Sequence, residues 1–300
     1  MAPVRLFDRP LLNARRRRAR LIGPATFLID RVAEDFADRL AAVLRRFDRA
    51  ADFGTPTSAV RAALAGNRAI GTMFAVEPAL EADEVPAAGM LVVADIEALP
   101  FAGGVLDLAV SAFALQTVDD LPGALIQIRR ALKPDGLLLA ALLGGDTLIE
   151  LRESFAIAES ELTGGVSPRV APFPDLRDMG ALLQRAGFAL PVTDVDRVVV
   201  RYSSPLALMA DLRRMGATNP LVERRRTPLR RAVLARVLEV YADRFADPDG
   251  KVRASFDIVW LSGWAPHESQ QQPLRPGSAT TRLADALGTR EISAGEKPGA

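Results

Sequence analysis

Between residues 49 and 144, short apolar runs alternate with segments of helical spacing, and no other feature narrows the possible folds so far. Residues 49–53, "AIGTMFAV" (69–76), "MLVVADIEALPF" (90–101), "GVLDLAVSAFAL" (104–115) and "LLLAALL" (137–143) predict five strands. Helices are predicted at 57–66 and over "LPGALIQIRRALKPDG" (121–136), the latter stopped by Lys133, Pro134 and Gly136. Strands alternating with helices predict a doubly wound α/β fold, a parallel sheet covered on both faces. The unbroken apolarity of the fourth run marks a central strand. In such sheets ligands bind beyond the C-terminal ends of the strands. Asp52, Glu77, Asp95, Ser111 and Gly144 are therefore expected around one crevice.

"LIDRVAEDFADRLAAVLRRF" (28–47) has helical periodicity and basic residues at its end, and predicts an opening helix. After residue 145 the rhythm lengthens, with helices expected at 147–162, 175–187, 205–216 and 228–245. "VTDVDRVVVRY" (192–202) alternates like a strand, and "VRASFDIVWLSGW" (252–264) reads as a final strand antiparallel to it. The expected organisation is an N-terminal helical segment (1–47), a sheet domain (48–264) with a helical insertion at about 203–250, and a tail (265–300). The insertion is expected to form a lid over the crevice. The tail, rich in proline, glycine, serine and threonine from Pro273, is expected to be mobile.

Composition removes several kinds of chemistry. The chain has no cysteine and one histidine, His267, which excludes thiol nucleophiles, disulfides and thiolate metal sites. It also excludes a facial triad of two histidines and a carboxylate within one chain, so no metal site is expected. A net charge of +1 leaves only Arg15 to Arg18 with Arg20 as a local basic patch, and on a helix that run reads as a solvated face. No nucleic-acid partner is expected. The longest apolar run, "GLLLAALLGG" (136–145), is about half of what a membrane span needs. The Arg-rich start is interrupted by Asp8 and lacks an uncharged core, so no secretory signal is read there. A cytoplasmic protein is expected, at most peripheral to the inner membrane through a partner.

A tight turn before a helix presents unpaired N–H groups to a polar ligand, and an acidic residue about 20 positions later can hold ribose hydroxyls. Asp52 and Gly54 mark such a turn, and Glu77 lies 23 residues beyond Gly54. "ADIEALPFAGGVLDLAVSAFALQTVDDLPGALIQIRRALKPDG" resembles the second half of class I S-adenosylmethionine (SAM)-dependent methyltransferases of the type-11 group. "LFDRPLLNARRRRARL", "GGDTLIELRESF", "GGVSPRVAPFPDLRDMGALLQRAGF", "LMADLRRMGATN" and "GWAPHESQQQPLRPGSA" resemble the NADH dehydrogenase (complex I) assembly factor 5 family, in order from about residue 6 to 288. The resemblance implies a Rossmann-like methyltransferase fold with SAM as cofactor. It also implies a part in building respiratory complex I, with a quinone-module subunit as partner and an arginine as the residue modified, by hydroxylation or methylation. Asp52, Gly54, Glu77, Asp95, Ile96 and Ser111 become the cofactor-binding candidates, with Asp95 and Ile96 at the adenine.

The loop departs from the family pattern D-x-G-x-G-x-G, because Pro56 and Ser58 stand where the second and third glycines belong. Proline fixes φ and removes an N–H, and losing one such hydrogen bond costs ~0.5–1.5 kcal/mol, roughly three- to tenfold in affinity. The catalytic candidates are Asp146, Gln116 and Tyr202. Asp146 follows the paired glycines 144 and 145 and reads either as a helix N-cap or as a substrate contact. Gln116, with Thr117 beside it, can hydrogen-bond a guanidinium but is a poor general base. Tyr202 ends a strand, facing either the crevice or a half-buried packing site. Asp194 and Asp196 share one strand face, as a site for an arginine or as a solvated pair, and His267 reads as a tail anchor or a proton shuttle. Three functions fit these residues: an arginine-modifying enzyme, a non-catalytic assembly chaperone with a degenerate SAM site, and a small-molecule methyltransferase.

Overall fold

The computed structural model describes residues 5–78, 90–271 and 282–290. Two helices, α1 (Arg9–Leu21) and α2 (Phe27–Ala41), precede the sheet. The alternating region then gives β1 (Phe47–Phe53), α3 (Ala59–Leu64), β2 (Ile70–Glu77), β3 (Met90–Val93), β4 (Leu106–Ala112), α4 (Leu121–Ala131) and β5 (Leu132–Gly144). Beyond it lie α5 (Ile149–Thr163), α6 (Leu176–Arg185), β6 (Ala189–Tyr202), α7 (Pro205–Arg214), α8 (Arg231–Phe245) and β7 (Val252–Trp264). The strands form one sheet in the order β3-β2-β1-β4-β5-β7-β6. All pairs are parallel except β5–β7 and β6–β7. The five early strands and the antiparallel close are thus as expected from the sequence.

Several boundaries differ: the opening helix stops at Ala41 and the third strand at Val93, both short of their expected ends. The helix expected to reach residue 136 ends at Ala131, and the chain is already extended at Leu132. Pro134 disfavours helical backbone at Lys133 and has no N–H of its own. Asp135 then takes φ of 62°, and the excursion breaks the β4–β5 register between Leu106 and Leu108. The helix expected over 57–66 is confined to six residues, α3.

Each face of the sheet buries its own cluster. One holds Phe53, Leu125, Ile128, Leu138 and Leu183 beneath α4 and α6, and the other Phe36, Leu40, Leu64, Leu108 and Trp260 beneath α2 and α3. Phe36 and Trp260 meet at 4.9 Å between ring centroids, with the Arg39 guanidinium 4.2 Å over the indole. A third cluster, with Leu151, Phe155, Leu212, Val237 and Tyr241, joins α5 to α7 and α8. Among the described residues no helix is long and apolar enough to cross a membrane.

Residues from His267 onward form a separate unit. It contains a short helix, α9 (Leu283–Leu287), and a contact of 2.7 Å between His267 Nδ1 and Ser269 Oγ. The expected tail from Pro273 lies largely outside the described residues.

Candidate functional site

β1 delivers Asp52 to the sheet's C-terminal edge with its side chain fully buried. Gly54 follows at φ of 68°, its N–H donating to the Val76 carbonyl at 2.8 Å. A Cβ there would sit 3.3 Å from that of Ala114, so the turn needs glycine for conformation and for space. The Thr55 hydroxyl donates to Asp52 Oδ1 and accepts the Ala112 N–H at 3.0 Å, tying the loop to the end of β4. Burial pushes the Asp52 carboxyl up, against the pull of Arg61 and Thr55. Arg61, in the first turn of α3, lies 2.8 Å from Asp52 Oδ2 and 3.2 Å from Glu77 Oε1. Glu77 ends β2 with 6% exposure, so the two carboxylates nearest the turn share one internal cation.

The other expected residues divide into those at this edge and those elsewhere. Asp95 and Ile96 follow β3, with Ile96 buried against the Gly54 turn and Asp95 half exposed, 3.2 Å from Arg9 of α1. Arg9 also meets Glu97 at 2.8 Å. Gln116 and Thr117, in a 3-10 turn (Leu115–Thr117) after β4, line a cavity beside the crevice together with Pro56 and Thr57. The Gln116 amide oxygen is buried without a hydrogen-bond partner. Ser111 is at the edge but faces inward, its fully buried hydroxyl donating to the Phe53 carbonyl at 2.8 Å. That hydroxyl braces β4 to β1 instead of reaching a ligand.

Asp146 departs from the capping reading made of it. It does not cap α5, which starts after Leu148 in a left-handed conformation, nor does it line the cavity. Its carboxylate lies 2.9 Å from Arg197 of β6, which also pairs with Asp257. The paired glycines serve this packing, since a Cβ at Gly144 would fall 2.4 Å from Val259 Cγ2 and one at Gly145 2.7 Å from Asp257 Oδ2. Tyr202 also lies away from the crevice, in the third cluster with Leu208 and Tyr241, where burial drives its hydroxyl well above the ordinary range. Asp194 and Asp196 are each 2.9 Å from an arginine of α2, Arg39 and Arg31. Their charge is thus spent within the chain.

Arg61 and Arg16 were not singled out in the sequence, and the run 15–18 is not wholly a solvated face. Leu12 and Ala19 are buried, and Arg16 shares their helical stripe at i+4 from Leu12. Its guanidinium enters the cavity and reaches the Phe113 carbonyl at 3.5 Å. Loss of water pushes its pKa down to about 10, against the attraction of Glu77. Arg15 is tied instead to the backbone after α7, donating to the Thr218 carbonyl at 2.8 Å.

The strand order, the single antiparallel strand next to β5 and a turn–acid–acid edge formed by Gly54, Glu77 and Asp95 define the class I methyltransferase fold, a Rossmann-like sheet. A family model described as a methyltransferase domain matches residues 51–140. The YcgJ protein from Bacillus subtilis shares the fold, with a TM-score of 0.53 at 15% identity over 78% of this chain and 99% of that one. Within the class, the human protein named arginine-hydroxylase NDUFAF5, mitochondrial, is 38% identical over 291 residues, covering 94% of this chain and 83% of the relative. The chain belongs to the NDUFAF5 family. A protein of Laribacter hongkongensis named malonyl-[acyl-carrier protein] O-methyltransferase is 40% identical over 62% of this chain and 60% of its own length.

Proposed function

We propose that this chain is a SAM-binding enzyme that modifies a protein arginine, by methylation or hydroxylation, during assembly of respiratory complex I. It acts in the cytoplasm, on a quinone-module subunit at the inner membrane. Glu77 is the observation that supports the reading most: a nearly buried carboxylate at the end of β2, beside the Gly54 turn, where ribose hydroxyls would be held. Asp95 and Ile96 would flank the adenine, and the inward Ile96 side chain fits an apolar base face. For methylation the bound cofactor would supply an electrophilic methyl group; hydroxylation would draw its oxygen and electrons from dioxygen and a separate reductant. The chain's own part is orientation. Gln116 offers an amide without basic character, so it takes no proton from the target nitrogen, and that proton leaves to solvent or to a carboxylate.

Calorimetric titration with SAM and its demethylated product tests the first half of this reading. Mass analysis of the cognate subunit, for a methyl group or an oxygen added to one arginine, tests the second. A Glu77→Ala variant is expected to lose SAM affinity by roughly ten- to a hundredfold, as a charged hydrogen bond of about 1.5–3 kcal/mol implies. Neither binding nor a mass change in the natural protein would leave the chaperone reading. That second reading is favoured by Pro56 and by Arg61, which holds both Asp52 and Glu77 on an internal charge.

A further inference from the structure

Between α1, the turn after it, α5, α7 and the loop before α6 lies a cavity of about 300 Å³. Its body is apolar, with Leu28, Leu148, Leu151, Phe155, Leu212 and Phe256 in the walls. Its charge has one sign: Arg16, Arg20, Arg169, Arg213 and Arg214 line it, and no aspartate or glutamate does among the described residues. Several of these cations already have partners. Arg169 pairs with Glu159, and Arg214 lies 3.2 Å from Asp211.

Arg16 is different. Its one hydrogen bond is the long contact to Phe113, and no carboxylate among the described residues comes within ion-pair distance. A pKa of about 10 leaves it charged at neutral pH, so a desolvated cation faces an apolar chamber with no carboxylate paired to it among the described residues, and only the more distant charge of Glu77 acts on it. The Gln116 amide lines the same chamber with its oxygen unpartnered, and rotation of that amide turns a donor toward the same space. Small-molecule sites have this constitution, apolar walls with a few convergent polar groups.

We propose that this cavity binds an apolar-bodied anion, its carboxylate or phosphate head on Arg16 beside Gln116 and its hydrocarbon body against the leucine and phenylalanine walls. The occupant is distinct from the target side chain of the proposed reaction, because a guanidinium would meet like charge here. The cavity can therefore be tested without the cofactor and without a protein substrate.

Dodecanoate, dodecyl phosphate and dodecanol are titrated into the full chain by calorimetry, the first two separating a carboxylate from a phosphate head. One or both anions are expected to bind at least tenfold more tightly than the alcohol. Arg16→Gln is expected to remove that advantage and leave the alcohol unchanged, Arg16→Lys to restore part of it, and Ala171→Trp to block all three by filling the chamber. Thermal melts of each variant confirm that the fold persists. Equal binding of anion and alcohol, or no effect of Arg16→Gln in a folded protein, would overturn the proposal. So would one-for-one displacement of the bound anion by SAM, which would assign Arg16 to the cofactor's own carboxylate. Loss of SAM binding with anion binding intact would count against the proposed reaction alone.

Discussion

Arg61 holds two carboxylates at once, and its removal would strand one of them. Asp52 is fully buried and keeps only Thr55, through its hydroxyl and its backbone N–H, once the guanidinium is gone. Breaking a buried pair from one side costs about 3–5 kcal/mol. Arg61→Met is expected to lower the urea midpoint accordingly, and Asp52→Asn on that background to recover much of the loss. If Arg61→Met alone were as stable as the parent, the clamp would not be holding the loop. Pro56→Gly probes the same loop for function, with SAM affinity expected to rise roughly three- to tenfold through one regained N–H. Glu159 supplies the pH dependence. Burial pushes its carboxyl up, but the Ser167 N–H and Arg169 outweigh this and hold it below its ordinary value. Its contribution is therefore complete above the unfolded carboxyl range, ~4.3, and is lost as pH falls through the lower folded value. Glu159→Gln is expected to be less stable at neutral pH and to show a flatter acid limb in pH-dependent denaturation.

At the scale of elements, the turn from β5 into α5 is fixed by close packing rather than by capping. Thr147 donates to the Gly144 carbonyl at 2.7 Å and accepts the Asp257 N–H at 3.0 Å, so the turn is pinned to β7. Gly144→Ala would drive a methyl into Val259, and overpacking of this kind costs about 1–3 kcal/mol. The companion change Val259→Ala is expected to be partly compensating, and a double-mutant cycle by denaturant melts reads the coupling directly. Strands β4 and β5 were legible in the sequence because central buried strands are nearly continuous in apolar residues. The crevice edge was legible because parallel strands all end on one side. Asp146, Ser111 and Tyr202 were not, since their partners, Arg197, the Phe53 carbonyl and the α7–α8 cluster, are remote in sequence or on the backbone. Arg16 carried a signal in its spacing from Leu12 and Ala19. A run of four arginines hides which one points inward until the opposing wall is known.

The molecule as a whole closes its cavity with parts of unequal strength. The sheet and its two clusters unite elements from residue 32 to 265, while α1 buries only Leu12 and Ala19 along its length. The N-terminal segment is held mostly by polar ties. Asp119 accepts the N–H groups of Leu6 and Phe7 at 2.8 and 2.9 Å, Asp8 lies 3.0 Å from Arg224, and Arg15 donates to Thr218. Partly exposed polar ties open at lower free energy than buried strands, so α1 is expected to exchange its amide hydrogens ahead of β1 and β4. Asp119→Ala should widen that gap without changing protection in the sheet. Deletion of residues 1–22 should leave the sheet folded by circular dichroism and uncover the Leu28, Leu151 and Phe155 wall, seen as binding of an apolar dye. A deletion that unfolded the chain in one step, or equal protection of α1 and β4, would place α1 within the cooperative core. The cavity wall would then be part of the fold itself, and the Arg214 hydrogen bond to the Gly23 carbonyl at 2.8 Å would belong to that core.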